Sequence, residues 1–81
     1  MTKLDLVDTV WQEIGSIGFD GQKKGGGLIQ LCTADALPAP TDSIPTFESY
    51  QSVELQRAAP ASGSWYVRVI GQNASFVFTE V

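Results

Sequence analysis

Eighty-one residues suffice for one domain (1–81) and leave no room for a second core, and a chain this short buries only roughly 60 to 65% of the surface its unfolded form exposes. A single cysteine, Cys32, excludes an intramolecular disulfide, and with no histidine in the chain a structural zinc site of the usual Cys and His type cannot be built. The net charge is -4, and the five cations Lys3, Lys23, Lys24, Arg57 and Arg68 are scattered along the chain, which excludes the clustered positive surface that nucleic-acid phosphates require.

From the N-terminus, Leu4 to Ile14 carries two periodicities at once. Leu4, Val7, Trp11 and Ile14 recur at helical spacing, whereas Leu6, Val10 and Ile14 share the parity of a strand. Val7, Thr9, Val10 and Trp11 favour extended structure, and Gly15 and Gly18 follow closely, so the segment reads as a strand with a helix as the alternative. Phe19 to Gly27 reads as a turn, because Asp20-Gly21 is a hairpin signal and three consecutive glycines follow Lys23 and Lys24. Leu28 to Thr33 is nearly continuous in apolar character, which predicts a short strand covered on both faces.

Pro38, Pro40 and Pro45 make Leu37 to Pro45 a surface connection, with Phe47 and Tyr50 as candidate anchors at its end. Ser52 to Arg57 sets Val53 and Leu55 against Glu54 and Gln56, the alternation of a half-buried strand. After a small-residue turn at Ala58 to Ser64, the stretch Trp65 to Ile70 places Trp65, Val67 and Val69 on one face and Tyr66, Arg68 and Ile70 on the other. Gly71-Gln72-Asn73 turns the chain into Ser75 to Val81, so that Trp65 to Val81 reads as a terminal β-hairpin. The whole predicts an all-β fold, a small β-sandwich or jelly-roll-like barrel of about six short antiparallel strands. No apolar run approaches the ~18 residues of a membrane span, and no export signal opens the chain, so a protein made without export is expected.

The residues point away from catalysis. General acid-base work at neutral pH most often uses histidine, and nothing in the spacing of the nine carboxylates singles out a catalytic pair. Cys32 has no histidine to make its thiolate and reads as a buried structural cysteine. Gly25-Gly26-Gly27 lacks the Lys-Ser/Thr ending and the helix of a phosphate loop, and Asn73-Ala74-Ser75 fits the glycosylation pattern by chance. No enzyme, cofactor or metal is therefore expected. Trp65, Tyr66 and Arg68, with Trp11, belong to the residue types enriched at the centres of interfaces, and they are the candidates for a contact between subunits, with plain core as the competing role.

Several landmarks occur in a telling order: Val10-Trp11-Gln12-Glu13-Ile14, the glycine-rich turn before Leu28-Ile29-Gln30, Ala36-Leu37-Pro38-Ala39-Pro40, Gly63-Ser64-Trp65-Tyr66-Val67-Arg68, and the closing Val77-Phe78-Thr79-Glu80-Val81. This order resembles small bacteriophage virion proteins that serve as head decoration, fibre or tail-attachment modules. The resemblance implies a compact β-sandwich or jelly roll that assembles as a symmetric homo-oligomer such as a trimer on a capsid or tail protein. It also implies synthesis in the bacterial host cytoplasm and a final place in the virion, with no catalytic residue to carry over. Gln22-Lys23-Lys24 departs from the pattern as an insertion. The runner-up expectation is a small acidic phage inhibitor whose carboxylates imitate phosphates on a host protein's binding surface. A carbohydrate-binding module would need exposed coplanar aromatics.

Overall fold

The computed structural model describes residues 1–38 and 54–81, and of residues 48–50 the backbone. The described residues form eight strands and no helix: β1 (Thr2–Leu6), β2 (Gln12–Gly15), β3 (Phe19–Lys24), β4 (Leu28–Ala34), β5 (Glu48–Tyr50), β6 (Glu54–Arg57), β7 (Ser64–Ile70) and β8 (Ala74–Glu80). One sheet has the order β1-β8-β3-β6 and the other β2-β7-β4-β5, with every ladder antiparallel. The pairs β1 with β8, β2 with β7, β3 with β6, and β4 with β5 make one long ribbon, β1 to β4 running against β5 to β8. Rolling that ribbon sends successive strand pairs alternately to the two sheets, and the β8–β3 and β7–β4 ladders close them. This winding is the eight-stranded jelly roll.

Alternation along each strand decides what fills the space between the sheets. Leu6, Phe19, Leu55, Phe76 and Phe78 face inward from the first sheet, and Ile14, Ile29, Leu31, Val67 and Val69 from the second, as one continuous core. Phe19 sits at its centre, with its ring edge-on to Trp65, Phe76 and Phe78 at centroid distances of 6.0, 5.9 and 6.3 Å. The outer face of the first sheet is polar, carrying Lys3, Asp5, Asp20, Gln22, Lys24, Glu54 and Gln56 in adjoining rows.

The structure corrects three readings of the sequence and refines others. Leu4 to Ile14 is neither one strand nor a helix: β1 and β2 lie in different sheets, and the two periodicities overlap because the chain crosses between them at residues 7–11. Phe19 to Gly27 is not a turn throughout, since Phe19–Lys24 is a strand between β8 and β6, and only the three glycines turn the chain. Trp65 to Val81 is not a hairpin, because β7 and β8 belong to opposite sheets and send Val69 and Phe76 into the core between them rather than pairing edge to edge. Among the described residues the strands number eight, against the expected six or so. Leu28 to Thr33 is covered on both faces as expected, with Ile29 to Cys32 all buried. Leu55 is buried between exposed Glu54 and Gln56, while Ser52 and Val53 lie outside the described residues. Of the connection at Leu37 to Pro45, only Leu37, which is exposed, and Pro38 fall within them; Phe47 and the Tyr50 side chain do not.

The crossing at residues 7–11 is tied to the β7–β8 crossing. The Asp8 carboxylate accepts a hydrogen bond from the Gly71 N–H at 2.9 Å, and the Asp8 N–H donates to Asn73 Oδ1 at 2.9 Å. Thr9 N–H adds a bond to the Val69 carbonyl at 2.8 Å. Asp8→Ala leaves the Gly71 N–H without this acceptor and is expected to lower stability by about 1 kcal/mol, which in a domain of this size is a fall of roughly 4–8 °C in Tm. A circular-dichroism melt at a concentration where the chain is a monomer reads it directly, and an unchanged Tm there would mean that Asp8 does not hold this junction.

Candidate functional site

Strand alternation sends Gln30 and Cys32 of β4 and Tyr66 and Arg68 of β7 to the outward side of the second sheet. The ladder sets them directly opposite one another, Gln30 against Arg68 and Cys32 against Tyr66. Trp11, at the end of the crossing just before β2, completes the group, and its ring centroid lies 4.4 Å from the Arg68 guanidinium carbon. A guanidinium over an indole face is attracted by the ring quadrupole, most strongly where water is excluded. Arg68 Nε also donates to Gln30 Oε1 at 2.7 Å.

Three of the four residues singled out from the sequence, Trp11, Tyr66 and Arg68, are therefore neighbours. They are only 3, 5 and 7% exposed, so in the folded chain they form a second, smaller interior with Cys32. Trp65 stands apart from them on the opposite face of β7. It packs against the main core, and its Nε1 donates to the Ala58 carbonyl at 2.9 Å. Sequence reasoning separated Trp65 from Tyr66 and Arg68 by parity, and grouping all four as interface types ignored that separation. Gln30 was missed; its signal was that it interrupts the apolar run from Leu28 to Cys32. The Trp11 Nε1–H is buried with no acceptor among the described residues.

Burial pushes the Cys32 thiol from its ordinary 9.0 up to about 11, and nearby Arg68 offsets only part of that rise. The Tyr66 hydroxyl is raised as well, by burial first and then by the Glu13 carboxylate beside it. Both groups hold their protons more tightly when folded, so each contributes stability that is complete below its unfolded pKa and is lost as pH rises through the folded one. For Cys32 that window runs from about pH 9 to about pH 11. Urea midpoints measured across this window should fall with pH, and less steeply for Cys32→Ala; parallel curves would contradict the assignment. A thiol so placed is also a poor nucleophile, so it should react with a disulfide reagent near neutral pH only after unfolding.

Two hollows lie among the described residues. One, of about 340 Å³, lies among Phe19, Asp20, Arg57, Ala58 and Val81 at one end of the first sheet. The other, of about 530 Å³, lies across the outer face of that sheet among Asp20, Gln22, Lys24, Glu54 and Gln56. Met1 and Val77 add apolar surface to the second hollow. Among the described residues no three His, Cys, Asp or Glu side chains cluster as metal ligands would. Compared with known proteins, the chain matches no family model, no curated protein and no solved structure.

Proposed function

We propose that this protein is a bacteriophage virion component that works by association with copies of itself and with a capsid or tail protein, as a head decoration or as part of a fibre or tail attachment. The observation that carries the reading is the winding β1-β8-β3-β6 against β2-β7-β4-β5. The jelly roll serves in viral capsid domains, as well as in lectins and cupins, because it buries two sheets on each other in a small, stiff unit. A fold hosts many functions, so the composition has to add weight. An 81-residue chain with one cysteine and no histidine has little means of catalysis and much to gain in stability from assembly.

The distribution of charge favours this reading over an acidic inhibitor. Asp5, Asp20 and Glu54 share the outer face of the first sheet with Lys3 and Lys24, and Glu13 lies on the second sheet, so these acids do not gather on a face of one sign. A phosphate mimic needs such a face. Quantitative mass spectrometry of purified phage particles tests the proposal: the chain should be present in a fixed ratio to the major capsid protein. Its absence from intact particles, with all of it left in the cleared lysate, would refute a virion role.

A further inference from the structure

We propose that copies of this chain associate by exchanging β1, so that β1 of one copy lies along β8 of the next. The inference rests on the reading of the protein as a self-associating structural part. Among the described residues β1 stands at the edge of its sheet and pairs with β8 alone. It nevertheless delivers side chains to the core, since Leu6 is 1% exposed and Leu4 packs against the same cluster. Withdrawing β1 opens a slot beside Phe76 and Phe78, and β1 of another copy fits that slot in the same register. That identity of fit selects a second copy of this chain as the partner, in the manner of domain swapping.

The connection between β1 and β2 supplies the reason to exchange. In the closed form Val10 N–H bonds to the Val7 carbonyl at 3.0 Å, a tight turn that holds Thr9 at φ 67°. Threonine is β-branched and strained in this left-handed region, which glycine or asparagine tolerates far better. The same turn leaves Val7 and Val10 49 and 42% exposed. Straightening the hinge relieves Thr9 and lets these valines of two copies meet, and a short hinge under strain is what favours exchange over closure. Against this act the bonds from Asp8 to Gly71 and Asn73 and from the Thr9 N–H to the Val69 carbonyl, which belong to the closed turn and set the resistance to opening.

Lys3 and Val77 face each other directly across the β1–β8 ladder, on the side away from the core. Cysteines at both positions lie within disulfide reach, while Cys32 stays buried. In oxidised Lys3→Cys/Val77→Cys protein, the exchanged form gives chains covalently joined to one another on a non-reducing gel. An oligomer whose disulfides all lie within single chains would overturn the exchange and leave self-association standing. A monomer with internal disulfides would overturn both. Two single variants provide an independent reading with opposite signs. Thr9→Gly relieves the closed turn and should weaken the association constant about tenfold, whereas Asp8→Ala should strengthen it. No change in either, by light scattering, contradicts the hinge mechanism.

Discussion

Gly21→Ala is expected to destabilise the fold by about 3 kcal/mol or more, at the upper end of overpacking effects. The reason is space rather than backbone conformation. A Cβ at position 21 would stand 2.2 Å from Phe76 Cζ. The ring cannot give way, because it is fully buried, edge-on to Phe19 and stacked on Phe78 at 6.0 Å. The backbone cannot give way either, since Gly21 pairs with Leu55 on one side and Phe78 on the other. Against the roughly 4 to 12 kcal/mol that a chain of this length can be expected to hold, such a loss leaves a large unfolded fraction. Urea denaturation measures it, and Phe76→Leu should restore part of the stability of Gly21→Ala through a strongly non-additive cycle. Additive effects would mean that the two residues do not touch.

Phe19→Ala is the second large effect, expected at about 3–5 kcal/mol for a fully buried aromatic. Its ring joins the two sheets, meeting Phe76 and Phe78 of its own sheet and Trp65 of the other. Truncation leaves a cavity bounded by stiff rings that cannot collapse into it, which is the costly case. Phe19→Leu keeps most of the volume and should lose markedly less. If the two variants unfold at the same urea concentration, Phe19 does not bridge the layers as described.

The class of fold was legible in the sequence because it depends on local alternation, which Trp65 to Ile70 and Glu54 to Arg57 carry plainly. Which strands become neighbours was not. The Gly71-Gln72-Asn73 turn has hairpin composition, yet Gly71 at φ 106° carries the chain across the sandwich instead. Only the burial of Val69 from one sheet and Phe76 from the other in a shared core decides between the two outcomes. Asp20-Gly21 misled in the same way. Its glycine is not there to turn the chain; it clears space for the Phe76 ring, a contact some 55 positions distant in sequence that no local pattern announces. Of the candidate site, the sequence yielded the residue types and the opposed parities of Trp65 and Tyr66. It could not reveal that Trp11 would close over Arg68, because that contact depends on the crossing at residues 7–11.

On the proposal that this chain acts by assembling, its state of association in solution is decisive. The most direct test is the mass of the purified protein by size-exclusion chromatography with light scattering over a wide range of concentration. A closed oligomer of fixed size, such as a trimer, that dissociates only on dilution is the expected result. A particle of single-chain mass at every concentration, with the fold intact, would contradict it.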